Sequence, residues 1–101
     1  PYTTLFRSLP VPTHAFIGGS AGNLKEILEL LLRKNPNIRV VLNTVTVETL
    51  AEAASCFKKL AFEEPEIVCL QASNAKKAGR SHLMIAQNPV YIFTAQGGAK
   101  E

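Results

Sequence analysis

The chain has 101 residues, 47% of them hydrophobic, which suits one small domain or part of a larger one and excludes a disordered segment. Eleven Lys and Arg residues against eight acidic residues give a formal charge of +3, too small to favour a nucleic-acid partner. No apolar run approaches the ~20 residues of a membrane span, and no secretory signal opens the chain. Cys56 and Cys69 lie in apolar stretches without metal-ligand spacing. We therefore expect reduced core cysteines, no metal, no membrane partner and a cytoplasmic location.

The first eight residues, PYTTLFRS, read like the translated end of a common short-read sequencing adapter. We interpret residues 1–8 as an adapter-derived scar and leave them out of the fold prediction. An adapter that interrupts the reading frame at Leu9 implies natural sequence upstream, so we expect a carboxyl-terminal fragment. The predicted divisions are the scar, half a domain over residues 9–96, and a tail over residues 97–101 that buries nothing.

The first predicted unit is a strand, a helix and a second strand. Residues 13–17 form a short apolar run that ends in the glycine-rich segment 18–22. Asn23 offers a helix cap, with Glu26 placed for a capping box. Residues 38–42 form a second strand, whose nearly continuous apolar sequence is typical of a parallel strand covered on both faces. The predicted buried face of the helix between them is Leu24, Ile27, Leu28 and Leu31.

The same pattern then repeats. Thr46 can cap a second helix that ends at residues 63–65, and residues 67–71 form a third strand. Residues 73–82 read as a polar loop. The apolar stretch 83–95 completes the sheet, antiparallel to its neighbours because no helix pattern precedes it. The predicted fold is therefore α/β, with a mostly parallel sheet and an antiparallel last strand. The predicted buried face of the second helix is Leu50, Ala53, Ala54, Phe57 and Leu60.

An open α/β sheet binds ligands beyond the carboxyl ends of its strands, and two segments occupy such positions. The first comprises Gly18, Gly19, Ser20, Gly22 and Asn23. Its glycines would let a ligand approach backbone N–H groups at a helix N-terminus, although a tight strand-to-helix turn uses the same residue types. The glycine spacing fits neither a P-loop nor a dinucleotide-binding fingerprint.

The second segment carries an amide, hydroxyls and a carboxylate, at Asn43, Thr44, Thr46 and Glu48. Thr46 and Glu48 are equally typical of a helix cap and of an acid matched to the helix dipole, so both interpretations stay open.

A third group of candidate residues is basic. Lys76, Lys77 and Arg80 suit either an anionic ligand or a solvated loop. His14 and His82 have no nucleophile or metal-ligand partner at a credible spacing, so we interpret both as structural or solvent-facing.

Three segments in order resemble the precorrin-6B methylase family: FIGGSAGNL at residues 16–24, VLNTVTVETL at residues 41–50 and NPVYI at residues 88–92. The resemblance extends from about Leu9 to Phe93, and the first two segments together are more specific than either alone. This family is the decarboxylating C15-methyltransferase of cobalamin biosynthesis, which also occurs as the carboxyl-terminal half of precorrin-6Y C5,15-methyltransferase. The resemblance implies a class I, Rossmann-like methyltransferase fold with S-adenosylmethionine as methyl donor and a precorrin tetrapyrrole as substrate.

The resemblance also implies which half of the enzyme is present. The family's glycine-rich cofactor loop lies upstream of the matching region, so the main S-adenosylmethionine motif is missing and the fragment alone is expected to be inactive. The two segments at the strand ends would then line the substrate side of the cleft, and the three basic residues would pair with substrate carboxylates. As partners, the resemblance implies a homo-oligomer or a fusion to a C5-methyltransferase domain.

Two other functions stay open on the sequence alone. One is a different Rossmann-like nucleotide-cofactor enzyme, such as a nicotinamide oxidoreductase. The other is a non-catalytic α/β module. The upstream reading frame, with or without a methyltransferase cofactor loop, would distinguish them.

Overall fold

A computed structural model of the chain describes residues 11–18 and 23–98. This part of the chain contains six strands and two helices. In chain order they are β1 (His14–Ile17), α1 (Leu24–Lys34), β2 (Arg39–Thr44), α2 (Val47–Lys59), β3 (Glu66–Leu70), β4 (Ser73–Ala78), β5 (Ser81–Ala86) and β6 (Val90–Gln96).

Four of these strands form one sheet in the order β1-β2-β6-β3. β1 and β2 are parallel, and β6 is antiparallel to both of its neighbours. The helix between β1 and β2 provides the crossover that parallel neighbours require. The predicted α/β fold with an antiparallel last strand is confirmed.

The core lies between the two helices and one face of this sheet. Val40 and Leu42 alternate with exposed or half-buried residues along β2, so one side of the strand is buried. The ring of Phe57 in α2 stacks on Phe93 of β6 with centroids 5.6 Å apart, and meets Phe62 edge-on at 5.0 Å. The predicted face of α1 is confirmed at the fully buried Leu24, Leu28 and Leu31, with Ile27 packed half-buried against the core.

The other face of the sheet is uncovered in the described part of the chain. Phe16 is 83% exposed and Leu70 is 55% exposed, while Val41 and Ile92 are half-buried. Among residues 11–18 and 23–98, β2 is therefore covered on one face only, and the expectation of cover on both faces is wrong for this part of the chain. The open face is nevertheless apolar enough to require cover by another segment or protein.

The polar stretch read as a loop is instead a β-hairpin. Strands β4 and β5 pair from Ser73 opposite Ala86 to Ala78 opposite Ser81. Gly79, with φ of +64°, supplies the positive φ at the first position of the two-residue turn. Residues 83–86 accordingly belong to this separate hairpin and not to the main sheet. Every hairpin residue is exposed, so no burial pattern marks these strands in the sequence.

Several burial predictions also need correction. Ala54 is exposed, because α2 turns this position away from the core, whereas Phe62 just beyond the helix is fully buried. Cys56 is buried as expected, but Cys69 is exposed because neither helix of the described residues covers that end of β3.

Gly97, at the start of the predicted tail, is packed, contrary to the expectation that the tail buries nothing; residues 99–101 lie outside the described residues. Gly97 is buried and bridges to Phe62, and its N–H donates to the carbonyl oxygen of Ile38 at 2.7 Å. The N–H of Gly98 donates to the carbonyl oxygen of Ala61 at 2.9 Å. These bonds attach the end of β6 to the connections that follow α1 and α2 in the chain.

Candidate functional site at the carboxyl edge of the sheet

The parallel pairing of β1 and β2 brings two predicted site residues together. Ile17 is in register with Leu42, so Gly18 and Asn43 follow at the same edge. A Cβ atom placed on Gly18 would lie 4.0 Å from Oδ1 of Asn43, and both residues are exposed. We call this edge, defined by Gly18, Asn43, Thr44 and Thr46, the carboxyl edge.

Two hydroxyls at the carboxyl edge are engaged in local hydrogen bonds. The buried Thr44 hydroxyl donates to the carbonyl oxygen of Thr46 and accepts from the Thr46 N–H, both at 3.3 Å. The Thr46 hydroxyl accepts from the N–H of Thr49 at 3.1 Å, as an N-cap does. Glu48 is exposed in the first turn of α2, where its charge suits the helix dipole. Ligand roles for these residues stay predictions.

The glycine-rich segment is described only at its two ends. Gly19, Ser20 and Gly22 lie outside the described residues, so their proposed ligand role stays a prediction. Asn23 occupies the N-cap position of α1, and its carbonyl oxygen accepts from the N–H of Ile27 at 3.1 Å. Its side chain makes no capping bond, because φ of −138° and ψ of 23° depart from the extended geometry of a side-chain cap. The predicted capping box is therefore wrong.

The three basic candidates lie along the hairpin. Lys76 is opposite Leu83 and Lys77 opposite His82, while Arg80 lies in the turn. Adjacent strand residues point to opposite faces, so the two lysines do not share a face. Lys76 is six residues beyond the end of β3, which is about 20 Å of extended chain. The hairpin forms a sheet of its own, separate from the sheet that carries the carboxyl edge, and contact of these cations with a substrate stays a prediction.

Tyr91 and Cys69 are two further polar residues near the carboxyl edge. Because β6 is antiparallel, it begins at this edge, and Tyr91 lies directly opposite Thr44 on one side and Cys69 on the other. A hydrogen bond with the Cys69 thiol raises the pKa of the Tyr91 phenol. Tyr91 lies in the segment NPVYI, but no role for it is predicted from the sequence. The sequence signal that could have identified Tyr91 as a site residue was its place at the start of the predicted antiparallel strand.

Neither a metal centre nor a membrane span is found in residues 11–18 and 23–98. No three His, Cys, Asp or Glu side chains in these ranges are grouped as metal ligands. Neither α1 nor α2 is long and apolar enough to cross a membrane.

Known sequences match most of the chain. A family model of the precorrin methyltransferase domain matches residues 2–97. A Methanobrevibacter smithii relative, named probable cobalt-precorrin-6B C(15)-methyltransferase (decarboxylating), is 37% identical over 82 residues, which are 80% of this chain and 43% of the relative. A Methanococcus maripaludis relative of the same name is 36% identical over 79% of this chain and 42% of its own length. The chain thus spans less than half of each relative. The family match includes residues 2–8, whose adapter origin stays a prediction.

Solved structures agree with the sequence matches. The precorrin-6Y C5,15-methyltransferase of Geobacter metallireducens superposes with a TM-score of 0.78 at 34% identity, over 90% of this chain and 48% of that one. An S-adenosylmethionine-dependent O-methyltransferase of Thermotoga maritima has a TM-score of 0.63 at 10% identity, over 93% of this chain and 36% of that one, which shows the fold alone. By its sequence match and its fold, the chain belongs to the precorrin methyltransferase domain family.

Proposed function

We propose that the chain is the carboxyl-terminal half of an S-adenosylmethionine-dependent methyltransferase that methylates C15 and decarboxylates an acetate side chain of precorrin-6B. The observation that carries the proposal is the family match over residues 2–97. The names of the Methanobrevibacter and Methanococcus relatives supply the reaction. Family membership also disfavours a nicotinamide oxidoreductase or a non-catalytic module.

In this proposal the carboxyl edge forms part of the substrate wall of the cleft. Gly18 has no side chain to obstruct a ligand beside Asn43, which suits the approach of a large planar macrocycle. Methyl transfer is an in-line displacement, so the contribution of these residues is orientation of the substrate rather than acid–base chemistry. The Asn43 amide can both donate and accept hydrogen bonds there.

S-adenosylmethionine supplies the methyl group when bound. The described carboxyl edge offers an open backbone at Gly18 and the Asn43 amide, which do not by themselves form a site for the whole cofactor. We therefore assign the main cofactor contacts to the upstream half of the parent protein. A cytoplasmic location is part of the proposal, supported by the free thiols of Cys56 and Cys69.

A homo-oligomeric parent protein is the second part of the proposal, with the β4–β5 hairpin as the contact between copies. An isolated two-stranded hairpin is marginal in water. This one has every residue exposed, including Leu83 at 55%, Met84 at 66% and Ile85 at 43%. Packing against a second copy would bury these side chains. A fused C5-methyltransferase domain is the alternative partner.

The test of the enzymatic proposal is a chimera. Residues 9–98 replace the corresponding half of the Methanobrevibacter smithii relative, which retains its own upstream half. We expect the purified chimera to transfer a methyl group from S-adenosylmethionine to precorrin-6B or cobalt-precorrin-6B and to release carbon dioxide, both followed by mass spectrometry. The relative's upstream half alone is the control. A folded chimera that binds S-adenosylmethionine but modifies neither substrate would contradict the proposal.

A further inference from the structure

The strand register fixes Tyr91 beside the carboxyl edge. Thr44, Tyr91 and Cys69 form a row across β2, β6 and β3, with Tyr91 in the middle. Tyr91 is half-buried and packs against the hydrophobic core, so its ring is anchored. A tyrosine held in this way offers a polar group in a defined place at little entropic cost on binding.

The threonine hydroxyls near Tyr91 are less available to a ligand, because they already form hydrogen bonds within the chain. The Thr44 and Thr46 hydroxyls already bond to the backbone of the β2–α2 connection. Their use by a ligand would break bonds that hold the start of α2. Asn43 and Tyr91 lie on adjacent register positions, since Asn43 pairs with Ile92 and Thr44 with Tyr91. Their side chains therefore flank the carboxyl edge from its two faces.

The thiol beside Tyr91 favours a neutral phenol. The hydrogen bond between the Cys69 thiol and the Tyr91 hydroxyl raises the pKa of Tyr91 above its ordinary value. The phenol has one O–H proton, and the bond with the Cys69 sulfur engages it. Sulfur is a weak acceptor, so a carboxylate can replace Cys69 as the partner of this proton without breaking a bond that holds the backbone, unlike at Thr44 and Thr46. A neutral donor suits an anionic acceptor, since bonds to charged groups are stronger than those between neutral groups.

We propose that Tyr91 is a substrate-binding residue whose hydroxyl donates a hydrogen bond to a carboxylate of the tetrapyrrole at the carboxyl edge. This inference rests on the proposed function, since that function supplies the polycarboxylate substrate. It adds a residue that lies on the antiparallel return strand, apart from the two segments that follow β1 and β2.

Binding to the 101-residue chain itself tests the proposal. The probe is uroporphyrin, an octacarboxylate tetrapyrrole, titrated into 15N-labelled chain and followed by amide chemical shifts. We expect the shifts to centre on Asn43 and Tyr91. Tyr91→Phe keeps the ring packing and removes only the hydroxyl, so it should raise the Kd for uroporphyrin about tenfold. An unchanged Kd in Tyr91→Phe, or no shift at Asn43 and Tyr91 up to millimolar probe, would overturn the assignment.

Two further measurements separate this inference from its alternatives. Arg33→Gln with Lys59→Gln removes two exposed cations from the last turns of α1 and α2, away from the carboxyl edge, and should leave the Kd within about twofold. A loss equal to that of Tyr91→Phe would show that binding follows overall charge and would overturn the inference. In the chimera, Tyr91→Phe should raise KM for the precorrin substrate several-fold and leave kcat for methyl transfer nearly unchanged. A methylating chimera with unchanged KM in Tyr91→Phe overturns the role of Tyr91 but not the enzymatic proposal. Uroporphyrin binding at Tyr91 with an inactive chimera overturns the enzymatic proposal alone.

Discussion

The hydroxyl of Thr46 accepts a hydrogen bond from the backbone N–H of Thr49 at 3.1 Å and thereby caps α2. Thr46→Ala removes the acceptor and leaves this helix N–H without its partner. We expect the free energy of unfolding to fall by about 1 kcal/mol, as for other N-cap replacements. Urea denaturation of the 101-residue chain, followed by circular dichroism, measures the change.

Thr46→Ser is the matched control for that experiment, because serine retains the hydroxyl and is a strong N-cap. It should keep most of the wild-type stability. Equal losses in the alanine and serine variants would show that the methyl group, and not the capping bond, stabilises this end of α2.

Gly97 has no room for a side chain. A Cβ atom there would lie 2.3 Å from the carbonyl oxygen of Pro36, which is backbone and cannot rotate away. Gly97→Ala should therefore destabilise the fold by about 1–3 kcal/mol, the usual cost of overpacking. Gly98→Ala is the control, since its Cβ would meet the side chain of Glu63 at 3.3 Å and that side chain can move. Thermal melts that show equal Tm values for the two variants would refute this account of Gly97.

Burial explains which elements could be predicted from the sequence. Leu24, Leu28 and Leu31 recur at helical spacing because α1 buries one face, and Val40 and Leu42 alternate because β2 does the same. The hairpin buries no face in this chain, so its polar sequence resembles a loop. In the sequence of the hairpin, only Gly79 marks the turn; in the structure this residue has a positive φ.

The candidate site was harder to predict because part of it depends on long-range pairing. Gly18 and Asn43 follow successive parallel strands, so a general rule about strand ends places them together. Tyr91 reaches the same edge only through the antiparallel register of β6 against β2. Local sequence patterns predict an antiparallel last strand but not which strands it pairs with or in what register, because that pairing depends on packing between distant segments.

Alkaline pH should destabilise the fold through Cys56. Burial raises the pKa of the Cys56 thiol, and the nearby Glu52 carboxylate acts in the same direction. Above its ordinary pKa the thiol ionises in the unfolded chain but stays protonated in the folded one. The free energy of unfolding is thus fully retained below that pKa and declines as pH rises towards the higher folded value. Urea denaturation at intervals from pH 7.5 to 9.5 measures the decline.

Cys56→Ala identifies the group responsible for this pH dependence. The variant should be less stable at neutral pH, because it leaves a small cavity, but its stability should fall less steeply with pH. A slope that is the same in wild type and Cys56→Ala would assign the alkaline loss to other groups.

The β4–β5 hairpin offers an exposed apolar surface through which copies of the chain can associate. Leu83 and Ile85 lie on one face of β5 and are 55% and 43% exposed, so replacing both with lysine removes apolar surface from the proposed contact without emptying the core. If copies associate through the hairpin, sedimentation equilibrium should give a multiple of the 11.0 kDa chain mass for wild type and the monomer mass for Leu83→Lys with Ile85→Lys.

Phe16→Lys is the matched control, because Phe16 is 83% exposed on the open face of the main sheet. Dissociation by Phe16→Lys but not by the hairpin variant would move the contact to the open sheet face. A wild-type chain that remains monomeric at 100 µM, a concentration at which a contact with a Kd of about 10 µM is mostly occupied, would remove the hairpin as a contact between copies of this chain.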